Sequence, residues 1–189
     1  MKSKGFRRGV TVLLALVVTA VTACTPGRET SEPKDRQIVV GASAAPNSMD
    51  PSTADAAAIP QVLLYNVYET LVKIDGQGNL QPLLASEWAV TPDAKTYTFT
   101  LRPQAKFASG GRVTADTVVE SIRRVITDSA VLPVLKSQMS SIDSMRAVDE
   151  DTVEFVLKHP SHTWLYSMAQ TAGIIYDPNA LATLDTTPS

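Results

Sequence analysis

Few residues of this chain stand at spacings that chemistry could use, and each such group lacks its complement. Ser31 and Lys34 have the Ser-x-x-Lys spacing of serine acyl-transferring enzymes, in which the amine activates the hydroxyl. They lie in a polar stretch with no helix to present the hydroxyl, and no Lys-Thr-Gly follows downstream. His159 and His162 are spaced as two imidazoles that share a metal on a helix, but Pro160 intervenes and no acidic or cysteine residue completes the set. Asp149-Glu150-Asp151 lacks the Gly and the later Glu of a calcium loop, and reads as an acidic hairpin turn. Ser109-Gly110-Gly111 has no Lys-Ser or Lys-Thr after it to complete a phosphate cradle. No nucleophile, base and orienting group come together, so no catalytic residue, no metal site and no cofactor is expected from these residues.

One residue does have a chemical context. Lys2, Lys4, Arg7 and Arg8 make a basic start, residues 10–21 are uncharged and mostly apolar, and Val21-Thr22-Ala23 leads into Cys24. That order is the order of a signal peptide, and its apolar run is shorter than the roughly 20 residues a transmembrane helix needs. Small residues directly before a cysteine resemble the lipobox of bacterial lipoproteins, in which the thiol is lipidated and the chain is cut just before it. Cys24 is the only cysteine and can form no internal disulfide. The expectation is a lipid attachment at Cys24 and an extracytoplasmic protein anchored to the cell membrane, since two or more acyl chains hold stably where one does not.

These features need a domain to carry. Residues 1–23 form the leader and 24–36 the lipidated cysteine with a polar, flexible spacer. Residues 37–185 form the folded part and 186–189 a tail. About 165 residues remain after the leader, enough for one core. Basic and acidic residues number 17 and 19, and the basic ones do not cluster beyond the leader, so no nucleic-acid surface is expected.

The elements follow from periodicity. Ile38-Val39-Val40 suits a buried strand over residues 37–42, broken by a loop from Ala45 to Pro51. From Pro60 onward, Leu63, Leu64, Val67, Tyr68 and Leu71 recur at helical spacing and predict a helix running into Val72-Lys73-Ile74. Residues 75–79 and 91–95 are turns by composition, and Tyr97, Phe99 and Leu101 alternate with threonines as in a half-buried hairpin strand. Thr114 caps a helix with Val118, Val119, Ile122, Val125 and Ile126 on one side. A second hairpin turns at residues 149–151 and places Val153, Phe155 and Leu157 on one face. A short helix over residues 161–170 and a strand over residues 173–176 complete an α+β pattern.

Against this background the middle of the chain is specific. Leu83-Leu84-Ala85-Ser86-Glu87-Trp88, Lys95-Thr96-Tyr97-Thr98-Phe99-Thr100-Leu101-Arg102, Ala105-Lys106-Phe107-Ala108-Ser109-Gly110-Gly111 and Val113-Thr114-Ala115-Asp116-Thr117-Val118-Val119 follow in series. Together they resemble the signature region of the extracellular solute-binding proteins of family 5, which serve ABC importers for oligopeptides, dipeptides and nickel. Asn47-Ser48-Met49-Asp50-Pro51, Tyr68-Glu69-Thr70-Leu71-Val72 and residues 147–158 are similar to further motifs of that family, in the same order. Where the family usually has Asp-Gly, this chain has Ser109-Gly110.

The resemblance implies the first-lobe part of a two-lobed, periplasmic-binding-protein-like fold of the class II type. The sequence reaches Ser189 ahead of the family's Gly-Thr-Gly-Pro-Tyr stretch and second lobe, so the lobe is expected to be incomplete. It also implies a ligand held in a cleft between lobes, with the backbone of Ala45, Pro46 and Asn47 lining one wall. The partners it implies are a peptide or other small solute, the permease and ATPase subunits of the importer, and the membrane. Peptide, nickel-chelate and sugar binders share these motifs, which leaves the ligand open, with peptide as the reading adopted. The alternatives are a nickel or other solute binder, or a short lipoprotein keeping one lobe as an interaction domain.

Overall fold

The computed structural model describes residues 41, 48–54 and 58–184. The order of elements is α1 (Ala58–Leu63), β1 (Val72–Ile74), β2 (Leu80–Pro82), β3 (Ala85–Val90), β4 (Thr96–Leu101), α2 (Ala115–Thr127), α3 (Pro133–Met139), β5 (Ile142–Ala147), β6 (Thr152–Leu157), α4 (Trp164–Ser167), a 3₁₀ turn (Thr171–Gly173) and α5 (Pro178–Leu184). β1 and β2 form a small hairpin, and the other strands form an antiparallel sheet in the order β3-β4-β6-β5. Strands and helices occupy separate stretches without βαβ alternation, which is the expected α+β class.

Two hairpins make the sheet and join through their second strands. Tyr97 faces Phe155 and Phe99 faces Val153, so the alternating apolar residues of β4 and β6 share one side. Tyr97, Phe99, Leu101, Val153, Phe155 and Leu157 are all buried, while the threonines between those of β4 are half-exposed. The outer strands each open with a register shift, between Ala85 and Glu87 on β3 and between Ile142 and Ser144 on β5. Such bulges twist an edge away from further pairing.

Helix α2 covers the apolar side with Val118, Val119, Ile122 and Val125, all part of one core with the sheet residues. It starts where its cap dictates: the Thr114 hydroxyl accepts from Thr117 N, and the Thr117 hydroxyl accepts from Thr114 N. Trp164 of α4 closes the core, its ring 4.8 Å from Tyr97 and 5.3 Å from Phe155, at the tilted angles aromatic pairs prefer.

Three expectations need correction. The helix read from Pro60 to Leu71 ends at Leu63. Tyr65 has φ of 65°, its hydroxyl donates to the Ala169 carbonyl, and Val67 is 58% exposed, so long-range anchoring overrides the apolar period. The helix expected over residues 161–170 is one turn at Trp164–Ser167 followed by the 3₁₀ turn. In the strand expected over residues 173–176, Gly173 belongs to the 3₁₀ turn and Ile174 makes only an isolated bridge, to Thr70. Helices α3 and α5 were not anticipated. The strand expected over residues 37–42 lies outside the described residues except at Gly41.

Candidate functional site

The loop over residues 48–53 is built by its own polar side chains. Ser48 Oγ accepts from Asp50 N at 3.0 Å, and Asp50 Oδ1 accepts from Ser52 N at 2.8 Å and Ser52 Oγ at 2.6 Å. This is an Asx turn with Pro51 at its centre, where a fixed φ suits it. Both Asp50 and Ser52 are buried.

A buried carboxylate requires a cation, and α2 supplies it. Arg124 donates to Asp50 Oδ2 at 2.8 Å and to Ser52 Oγ at 2.9 Å, and its Nε lies 3.4 Å from Asp128 Oδ2. The Asp50 and Arg124 side chains are 3% and 16% exposed. Losing one partner of such a pair costs about 3–5 kcal/mol, because the other charge stays buried. Burial alone would lower the Arg124 pKa, but the Asp50 hydrogen bond and charge, with Tyr176 and Asp128, raise it.

The same pair reaches Tyr176. Its ring lies under the Arg124 guanidinium at 5.1 Å, and its hydroxyl is 3.5 Å from Asp50 Oδ1. Its backbone N donates at 2.9 Å to Ser121, which lies one turn before Arg124 on α2. Burial, then the Asp50 charge, pushes the Tyr176 phenol far above its ordinary pKa and keeps it neutral. The Tyr68 ring lies 5.4 Å from that of Tyr176, and its hydroxyl donates to the Met49 carbonyl at 2.7 Å.

Tyr68, half-buried, and behind it Tyr176, 1% exposed, stand on one side of a cavity of about 500 Å³, a size that suits small ligands. Phe107, Val113 and Ile175 add apolar surface, and Glu69, Lys106, Ser109, Asp177 and Asn179 bring polar groups to it. Lys106, Phe107 and Ser109 come from a tight turn in which Gly110 N donates to the Phe107 carbonyl at 2.9 Å. Gly110 has φ of 90°, a conformation that favours glycine, so the turn closes with Ser109 in place of the family's Asp. The Ser109 hydroxyl and the Asn179 N–H hold the Asp177 carboxyl below its ordinary pKa, so it is anionic at neutral pH.

The residues singled out in the sequence fare differently. Cys24, Ala45, Pro46, Asn47, Ser31 and Lys34 lie outside the described residues. His159 and His162 are exposed on the segment between β6 and α4. Glu150 and Asp151 of the acidic turn are ion-paired with Arg112. Among the described residues no group of three or more His, Cys, Asp or Glu could hold a metal, and no helix is long and apolar enough to cross a membrane. Arg124, Tyr68 and Tyr176 were not anticipated as a group. Thr117, Ser121, Arg124 and Asp128 do trace one polar line along α2, and that line was the available signal.

The fold and the cavity are on one chain, and comparison with known proteins gives its family. The model of the bacterial extracellular solute-binding proteins, family 5 (middle region), matches residues 79–189, and the chain belongs to that family. It is 31% identical over 181 residues to the probable D,D-dipeptide-binding periplasmic protein DdpA of Escherichia coli K12, covering 93% of this chain and 34% of the relative. It is 32% identical over 103 residues to the nickel-binding periplasmic protein of the same organism, covering 54% of this chain and 20% of the relative. The crystal structure of Haemophilus influenzae OppA in complex with RPPGFSPFR superimposes with a TM-score of 0.68 and 27% identity, over 75% of this chain and 30% of that one. The chain therefore spans about a third or less of the length of these proteins, an extent consistent with one lobe of a two-lobed fold.

Proposed function

We propose that this chain is the amino-terminal part of a solute-binding protein of an ABC importer and that its solute is a peptide. The observation that carries the reading is the cavity walled by Tyr68 and Tyr176, with Glu69 and Asp177 opposed in charge to Lys106, in a chain of this family. A largely apolar hollow with a few polar groups of both signs suits a zwitterion with apolar side chains. The relatives named for a dipeptide and solved with a peptide support the same class. In this reading the backbone of Ala45, Pro46 and Asn47 lines a wall of the ligand cleft and engages the peptide main chain by hydrogen bonds.

Residues 1–23 act as a leader, and Cys24, once lipidated, tethers the protein through the spacer of residues 24–36 to the outer face of the cell membrane. There it delivers solute to a permease driven by an ATPase. Two measurements test the proposal. Calorimetry on the whole protein encoded by the gene, with mixed di- and tripeptides and with Ni²⁺, is expected to show peptide binding; nickel binding with no peptide response overturns the ligand. Cys24→Ser is expected to release the protein from the membrane fraction, and an unchanged distribution overturns the anchor.

A further inference from the structure

We propose that Asp50 and Arg124 are positioning residues for ligand binding: the buried pair fixes Tyr176, 1% exposed, as the backing of the half-buried Tyr68, so that the cavity presents the Tyr68 ring, and this surface selects solutes with an apolar side chain. The proposal rests on the peptide-binding reading for its ligand and on the geometry for its mechanism.

Stability alone does not account for the pair. An apolar pair of similar volume is often as stable as a buried ion pair, whose best-attested use is to specify one arrangement among several. The arrangement specified here is that of the wall. Tyr176 is restrained at three points, by Ser121 at its backbone N, by Arg124 over its ring and by Asp50 at its hydroxyl. Tyr68 is restrained by its bond to the carbonyl of Met49, next to Asp50, and by contact with Tyr176. The same loop is held from a further side, where Leu132 N donates to the Ser52 carbonyl at 2.9 Å.

The consequence concerns specificity. Both hydroxyls are engaged by the loop of residues 48–53, so neither is the group the wall offers to a solute. The Tyr68 ring, backed by the buried Tyr176, offers apolar contact and edge or face packing to an aromatic or aliphatic side chain. Without the Asp50 carboxylate, the Tyr176 hydroxyl and the Arg124 guanidinium both lose a partner behind the wall, and the backing of the Tyr68 ring is loosened.

The test uses the whole protein with two probes, Ala-Phe-Ala and tri-alanine. Wild type is expected to favour Ala-Phe-Ala, and Asp50→Asn to reduce that preference at least tenfold while tri-alanine affinity changes much less. Arg124→Lys keeps the charge but loses the planar fork that serves Asp50 and Ser52 together, and is expected to reduce the preference in the same direction. It serves where Asp50→Asn does not fold. Leu157→Ala, which weakens the core away from the cavity, is expected to lower stability and leave the preference unchanged. Equal weakening of both peptides in the two site variants, or the same loss of preference in Leu157→Ala, overturns the proposal. Hydrogen exchange provides the arm that does not depend on peptide. The amide of Tyr176 is expected to exchange at least tenfold faster in either site variant, and unchanged exchange overturns the positioning role. Faster exchange in a protein that binds neither peptide overturns the peptide-binding reading and the selectivity, and leaves the positioning mechanism standing.

Discussion

In the four-stranded sheet the inner strands bury side chains at alternate positions, Tyr97, Phe99 and Leu101 on β4 and Val153, Phe155 and Leu157 on β6. Around the cavity the buried groups are of another kind. Asp50, Ser52, Thr70 and Ser121 are the buried polar side chains among the described residues, and all belong to the network or to the segments beside it. The sheet is held by apolar area, which is insensitive to direction and follows a sequence period. The cavity wall is held by bonds that need particular atoms at particular distances, some between residues more than 70 positions apart, such as Arg124 and Asp50. A region of the first kind tolerates small displacements; one of the second kind holds its shape only while each partner is present.

The strongest way to break this contrast is at the centre of the sheet. Phe155 is fully buried against Phe99 at 5.9 Å and Trp164 at 5.3 Å. Phe155→Ala is expected to cost about 3–5 kcal/mol in urea unfolding, from lost transfer energy and the cavity left behind. A change within about 0.5 kcal/mol, the range of ordinary surface substitutions, would show that this core is not what holds the chain together.

A smaller effect is expected on the other side, where the segment leading to Tyr176 passes close to another backbone. A Cβ on Gly173 would stand 2.2 Å from the Met168 carbonyl oxygen. Gly173→Ala is expected to cost about 1–3 kcal/mol, the usual range for forced overpacking, and to loosen the Thr70–Ile174 bridge. Hydrogen exchange should show the loss concentrated in residues 168–176, while β4 and β6 keep their protection. Uniform loss across the sheet would mean that the two regions unfold as one.

The same division explains what the sequence discloses. The alternation of Tyr97, Phe99 and Leu101, the Thr114 cap and the turn at residues 149–151 were legible because each depends on neighbours a few residues away. The family resemblance was legible for a related reason, since its motifs are contiguous runs. The pairing of Asp50 with Arg124 was not, although Asp50 lies in one of those motifs, because nothing local links the two until folding brings α2 to the loop of residues 48–53. The helix predicted through Val67 fails on the same ground: bonds from Tyr65 to Ala169 and from Tyr68 to Met49 are invisible to a local period. Helix α3 contains Leu135 and Met139 as its buried residues, too few for an apolar stripe to stand out. The interaction of Arg112 with Glu150 and Asp151 was hidden similarly, though the acidic turn itself was plain.

The smallest effect separates the two modes of holding by pH. The β1–β2 turn is closed by Asp75, whose carboxylate accepts from Asn79 N at 2.8 Å, Gln77 N at 2.9 Å and Gln81 Nε2 at 2.9 Å. The Asn79 backbone N–H, then the Gln81 side chain, hold its pKa below the ordinary aspartate value. A folded-state pKa below the unfolded one means that the contribution is fully present above about pH 4, where both states are ionised, and is lost as pH falls through the folded value. Asp75→Asn has no charge to lose, so its melting temperature should lie below wild type at neutral pH and the gap should narrow in acid. Phe155→Ala, which removes apolar area only, should show no such change in its gap arising from the altered residue. Measuring melting temperatures of the three proteins from neutral pH to about pH 3 decides the matter, because a constant Asp75→Asn gap across the carboxylate range would mean that the turn is closed by its backbone alone.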